Sequence, residues 1–102
     1  MIPLAGESDA YTAPRIRSDL ESALGVASPL VVDLSQATFI DSTVVSVLLE
    51  GLAECEKRER PLFLLLPDGS APEVHRLFEL TGRASLLPIV RSWGEAASRV
   101  AN

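Results

Sequence analysis

Three neighbouring polar residues, Asp41, Ser42 and Thr43, are the strongest candidates for chemistry in this sequence. They stand between a short apolar stretch that ends at Ile40 and a long apolar segment with helical spacing. Aspartate, serine and threonine cap helices, because a short side-chain oxygen accepts a hydrogen bond from an unpaired amide of the first turn. A hydroxyl there lies at the positive end of the helix dipole and near the surface, which suits the addition of a phosphate.

The segments on both sides of this turn must hold it in place. After it, apolar residues recur at i, i+3, i+4 and i+7, which predicts a helix from about Thr43 to Arg58. Its predicted buried face consists of Val45, Leu48, Leu49 and Leu52. Before it, residues 30–34 form a β-branched run that predicts a central strand, and residues 35–37 are read as a loop that leads to Phe39 and Ile40.

The rest of the chain alternates strands with helices. Strands are predicted over residues 1–5, 30–34, 62–66 and 86–90, and each is followed by a segment with helical spacing or capping residues. Gly82 is the expected end of the third helix. Pro88 cannot donate to a ladder, so the last strand should lie at an edge. This order predicts an α/β fold with a small, mostly parallel sheet of about four strands and right-handed crossovers.

Composition excludes several classes of protein. A chain of 102 residues is expected to form a single domain over residues 1–102, and 47% hydrophobic residues argue against disorder. A net charge of −5 disfavours nucleic acid as a partner, because binding it relies on Lys and Arg. No run of about 20 apolar residues could span a membrane. The N-terminus lacks a basic signal-like region, so we expect a cytoplasmic protein without a membrane partner.

Little in the sequence favours an enzyme or a cofactor. One cysteine and one histidine cannot form the usual four-ligand zinc site, and no glycine-rich phosphate loop is present. Ser42 as a hydrolase nucleophile would need a histidine within hydrogen-bond reach. The single histidine, His75, is predicted on the surface of a different helix, and Cys55 is predicted to be a core thiol. We therefore expect no cofactor, no metal and no catalytic residue.

Three segments together carry a family resemblance. Residues 39–43, followed by an apolar helix, resemble the phosphorylation loop of STAS domains, the anti-sigma factor antagonists. Residues 6–14 resemble the Gly-Glu-Leu-Asp segment with which that family enters its first helix, and residues 72–82 resemble its third helix. The resemblance extends over residues from about 4 to 90. It implies a small sheet with helices packed mainly on one side, and a shortened N-terminal hairpin.

The function that this resemblance implies is partner switching in the regulation of bacterial transcription. The unphosphorylated protein would bind an anti-sigma factor, often also a serine kinase, and so free a sigma factor. Phosphorylation of the first hydroxyl residue after the aspartate, here Ser42, would break that complex, with Thr43 as the second choice. The implied partner-binding residues are Asp9, Asp41, Ser42, Thr43, Val44, Ser46 and Val47.

This sequence departs from the family pattern at three places. Val44 stands where the family commonly has glycine, which would let a partner approach closely, and Ser8 stands where it usually has leucine. Only five residues precede Gly6, which leaves a sheet edge that invites pairing with a second copy as a homodimer.

Two other interpretations of the same residues stay open. The turn at Asp41 could be a helix cap without a signalling role, and Asp9 could do no more than cap the first helix. Alternatively, the protein could be a constitutive STAS scaffold or docking subunit of a stress-signalling or transport complex. In that case the loop would dock a partner without a phosphorylation switch.

Overall fold

The computed structural model describes residues 1–25, 29–80 and 88–101. The strands in these ranges are β1 (Ile2–Pro3), β2 (Gly6–Ser8), β3 (Leu30–Asp33), β4 (Ala37–Ile40), β5 (Leu62–Leu65) and β6 (Ile89–Val90). The helices are α1 (Ala13–Leu24), α2 (Ser42–Lys57), α3 (Pro72–Leu80) and α4 (Trp93–Ala101). The predicted alternation of strands and helices is confirmed. Gly82 and residues 86–87, which entered the predictions, lie outside the described residues.

The main sheet contains four parallel strands in the order β1-β3-β5-β6. Their order in space is also their order along the chain, so every crossover moves in the same direction. Right-handed crossovers then place the intervening helices on one face of the sheet. Residues of α1, α2 and α3 enter the larger core, and α4, after the last strand, packs on the opposite face. The predicted fold class is confirmed, and β6 lies at an edge as Pro88 indicated.

The central strands β3 and β5 are apolar on both faces because each face covers a separate core. Val32 and Leu64 belong to the larger core beneath the first three helices. Val31 and Phe63, one residue away in each strand, belong to the smaller core beneath α4. This alternation follows from the two-residue period of a strand. Cys55 is fully buried in the larger core, as predicted, and burial raises the pKa of its thiol.

A second, two-stranded parallel sheet pairs β2 with β4, and this sheet was not predicted. The strand predicted within residues 1–5 is present as β1, and Ser35 and Gln36 form the predicted loop, but Ala37 already belongs to β4, and β2 was missed. Strands of three or four residues are too short to show an alternating pattern. The ladder contains a register shift after Gly6, whose φ of 71° lies in the left-handed region that glycine adopts readily.

Helix α2 packs closely against α1. A Cβ on Gly51 would lie 3.1 Å from Leu20 Cδ1, so a larger residue there would require the Leu20 side chain to shift by a few tenths of an ångström. The buried face of α2 is wider than the one that the sequence predicted. Val44 and Val47 are buried as well, because α2 is covered by the sheet and also by α1.

The C-terminus of α2 carries a strained residue. Glu59 has a φ of 55°, in the left-handed region where a side chain is unfavourable. Two hydrogen bonds define the turn: Glu59 N–H donates to the Glu56 carbonyl at 3.1 Å, and Arg60 N–H donates to the Cys55 carbonyl at 2.8 Å. This is the pattern of a Schellman motif, in which glycine is the usual left-handed residue. The Arg60 guanidinium also donates to the Leu24 carbonyl at the end of α1.

We expect Glu59→Gly to stabilise the protein. Glycine adopts the left-handed conformation without the Cβ penalty, so the free energy of unfolding should rise by about 0.5–1 kcal/mol. Glu56→Gly is the matched control, since it removes the same charge from a helical position of α2 and should lower the free energy by about 1 kcal/mol. Urea unfolding of both variants measures the difference. A lower stability for Glu59→Gly would contradict this account of the turn.

Candidate functional site

Asp41 joins the end of β4 to the start of α2. Its backbone is extended (φ −107°, ψ 177°), and its Oδ1 accepts a hydrogen bond from Val44 N–H at 3.0 Å. Its own N–H donates to the Ser8 carbonyl at 3.2 Å, one residue beyond the pairing of β2 with β4. Asp41 is therefore the N-cap, and Ser42 and Thr43 are the first two residues of the helix.

The hydroxyl residues that follow the cap lie on the surface. Ser42, Thr43 and Ser46 are all exposed residues, so the predicted position of Ser42 on the surface is confirmed. Ser42 and Ser46 are four residues apart and share one face of α2. The N-terminus of a helix is its positive end, where a negative group is typically favourable by about 0.3–1 kcal/mol. Chemically, this site can receive a phosphoryl group from an external enzyme without burying it.

Two of the predicted partner-binding residues do not lie on this surface. Val44 is 0% exposed and Val47 is 1% exposed, and both belong to the larger core. Their side chains contribute almost nothing to the exposed surface around Ser42, so the structure does not support their inclusion. Valine in place of the family's glycine therefore does not hinder docking at this site. The branched side chain of Val44 is buried and does not obstruct an approaching protein.

Asp9 and Asp41, 32 positions apart in the chain, directly follow two paired strands. The two strands β2 and β4 are parallel and paired through Ser8 and Ile40, so the residues that follow them emerge at the same edge. Asp9 is half-buried, and its Oδ1 accepts a hydrogen bond from Tyr11 N–H at 2.9 Å. Its role in the structure is to shape the turn before α1, whose N-cap is Thr12. Asp9 itself is therefore not the cap.

His75, considered from the sequence, and the exposed Trp93 lie elsewhere. His75, on α3, is half-buried, and its Nε2 lies 3.1 Å from the Pro67 carbonyl oxygen, so it is not the purely surface residue that was predicted. Trp93 begins α4 on the opposite face of the sheet and is 50% exposed. Within the described ranges, no cluster of three or more His, Cys, Asp or Glu residues could hold a metal ion. No described helix is long and apolar enough to cross a membrane.

A groove with a volume of about 560 Å³ runs between α1 and α2. Its apolar floor includes Leu20, Leu24 and Val47, and charged residues of both signs, among them Glu21 and Arg58, line its rim. On α2 its lining begins at Val47, so the exposed hydroxyls of the first turn are outside it. Ser42 is exposed and does not line this groove.

The comparison with protein families decides the membership of this chain. A family model described as "Mlab, STAS domain" matches residues 1–88. The chain belongs to the STAS domain family. An anti-sigma-B factor antagonist of Listeria monocytogenes is 34% identical over 94 residues, which cover 90% of this chain and 79% of the relative. The chain is thus a member of the anti-sigma factor antagonist family, as the resemblance of its three segments indicated.

Solved structures agree with this assignment. An anti-sigma factor antagonist from Mycobacterium paratuberculosis is similar with a TM-score of 0.78 and 26% identity, over 98% of this chain and 83% of that one. The Bacillus cell fate determinant SpoIIAA in its phosphorylated form is similar with a TM-score of 0.65 and 25% identity, over 96% of this chain and 86% of that one. The relatives are named as antagonists of anti-sigma factors rather than as enzymes.

We expect Asp41→Ala to destabilise the protein by about 1 kcal/mol, because Val44 N–H loses its capping acceptor. Asp41→Asn is the matched control, since asparagine caps helices about as well and removes only the charge. Urea unfolding measures both variants. Equal stability of Asp41→Ala and the unmodified protein would mean that the cap contributes nothing to α2.

Proposed function

We propose that this chain acts as an anti-sigma factor antagonist by partner switching in the cytoplasm. Without phosphate it binds an anti-sigma factor that is also a serine kinase, and so frees a sigma factor. Phosphorylation of Ser42 then releases the complex. The observation that carries the proposal is the exposed Ser42 at the first position of α2, directly after the Asp41 cap. The names of the relatives support it, as does the similarity to a protein solved in its phosphorylated form.

Phosphorylation should leave the domain folded. A phosphoserine adds roughly −1.5 to −2 charges at neutral pH. At position 42 these charges lie at the positive end of α2, where they are typically favourable by about 0.3–1 kcal/mol. The carboxylate of Asp41 repels them, but water and salt screen the repulsion between exposed groups. The switch therefore does not require unfolding of α2.

The same phosphate opposes binding when a partner covers it. Removing its charges from water without a cationic group beside them costs several kcal/mol. Each 1.4 kcal/mol changes affinity tenfold, so even partial burial of the phosphate weakens binding by about 100-fold or more. The hydroxyl needs no catalytic power of its own, because the kinase supplies the nucleotide and the base.

The proposed contact surface consists of the exposed and half-buried residues at the edge where β2 and β4 end. These are Asp9, Asp41, Ser42, Thr43 and Ser46. Val44 and Val47 are left out because they are buried, and the buried side chain of Val44 is compatible with the approach of a kinase.

Pairing of two copies along the edge strand β1 stays a prediction. The geometry gives it little support, because β1 has only two residues and one of them, Pro3, lacks an N–H. Sedimentation of the purified protein over a range of concentrations measures whether dimers form.

We expect Ser42→Ala to abolish phosphorylation. The anti-sigma factor is first captured on the immobilised protein from a phosphatase-treated extract of the cells that produce the protein naturally. It is then identified by mass spectrometry, purified and used as the probe. Incubation with ATP should add one phosphate to the unmodified protein and none to Ser42→Ala. Thr43→Ala is the matched control and should be labelled like the unmodified protein. Unchanged labelling of Ser42→Ala would show that the phosphate is carried elsewhere.

We expect Ser42→Asp to weaken binding of the same anti-sigma factor by at least tenfold, while Ser42→Ala binds within about threefold of the unmodified protein. The aspartate carries part of the phosphate charge to the same position. Isothermal titration calorimetry measures both affinities. Binding that is indifferent to both substitutions would instead favour a constitutive docking subunit.

A further inference from the structure

Tyr11 is the most exposed large apolar side chain among the described residues. Its exposed fraction is 94%, against 44% for Phe39 and 50% for Trp93. It was not singled out from the sequence, because a lone aromatic residue in a turn carries no periodic signal. Tyrosine is enriched among the residues that contribute most to the affinity of protein interfaces.

The turn that carries Tyr11 is held by a dense set of local hydrogen bonds. Asp9 Oδ1 accepts from the N–H groups of Tyr11 (2.9 Å) and Thr12 (3.3 Å). In return, Asp9 N–H donates to Thr12 Oγ1 at 2.9 Å, and the Thr12 hydroxyl donates to the Asp9 carbonyl at 3.0 Å. The backbone is therefore fixed before any partner arrives, and binding orders only the two side-chain torsions of the tyrosine.

Tyr11 lies at the same edge of the molecule as Ser42. Ser8 and Ile40 are directly paired in the parallel ladder. Three residues lead from Ser8 to Tyr11 and two lead from Ile40 to Ser42, so the two α-carbons are within roughly 25 Å of each other. A standard interface covers about 800 Å² on each partner, which is a patch roughly 30 Å across. One partner can therefore cover both residues.

We propose that Tyr11 is the apolar anchor of the surface that binds the anti-sigma factor, and that its ring enters an apolar pocket of that protein. This inference rests on the proposed function and adds a residue to its binding surface. The exposed side chains at the start of α2, Ser42, Thr43 and Ser46, are small and polar. The affinity for the partner must therefore come from a contact other than the phosphorylated turn. A preorganised aromatic ring outside that turn provides such a contact.

The test compares the affinities of four variants for the purified anti-sigma factor by calorimetry. Tyr11→Ala should weaken binding by about 10- to 100-fold, the loss typical of a central aromatic contact. Tyr11→Phe should stay within about threefold, because it keeps the ring. Trp93→Ala is the matched control: it removes an exposed aromatic side chain from the opposite face and should stay within about twofold. Thermal unfolding by circular dichroism checks that Tyr11→Ala keeps the stability of the unmodified protein, as its exposure requires.

A kinetic readout separates anchoring from chemistry. With the anti-sigma factor as kinase, Tyr11→Ala should raise the KM for phosphorylation of Ser42 by about the same factor and leave kcat within about twofold. Tyr11 lies outside the reacting groups, so a fall in kcat alone would overturn the proposal.

The outcomes distinguish this proposal from the proposed function. If Ser42→Asp weakens binding and Tyr11→Ala does not, the anchor is refuted and the switch stands. If Tyr11→Ala weakens binding and Ser42→Asp does not, the anchor stands and the switch is refuted. An unmodified protein that does not bind the anti-sigma factor overturns both.

Discussion

The position of Ser42 depends on Asp41, which is bonded on two sides. Its main-chain N–H bonds to the Ser8 carbonyl and extends the pairing of β2 with β4, and its carboxylate accepts the Val44 N–H and closes the first turn of α2. The helix cannot begin one residue later or rotate about its axis without breaking one of these bonds. The next residue is thus presented by rigid elements while its own side chain stays in water. Recognition by a kinase and by a partner both benefit from such a fixed position.

The parts of the fold that could be predicted from the sequence have long or chemically distinctive patterns. The apolar run over residues 62–66 and the helical spacing after Thr43 indicate β5 and α2 directly, since period and length agree. The cap at Asp41 could be predicted because capping is local chemistry among adjacent residues. The family resemblance then singled out Ser42 among the hydroxyls, which capping chemistry alone would not have done.

The parts that could not be predicted depend on contacts between distant segments. The small sheet of β2 and β4 exists only because residues 6–8 and 37–40 meet, and neither segment is long enough to show a strand period. Val44 and Val47 are buried because α1 covers a second side of α2 at Gly51, which the spacing within α2 does not reveal. The exposure of Tyr11 is likewise a property of the assembled turn rather than of any local pattern.

If Ser42 is phosphorylated as proposed, the phosphate acts with opposite sign within the domain and at an interface. Within the domain, the positive end of α2 favours the charge, so phosphorylation needs no conformational change in order to act. At an interface, the same charge is unfavourable unless the partner offers a cation. In a switch of this kind, it is an advantage if the residue that provides affinity differs from the residue whose phosphorylation weakens binding. Tyr11 and Ser42, on neighbouring turns at one edge of the molecule, have the properties that such a division requires: one is a fixed apolar ring and the other is a small exposed hydroxyl.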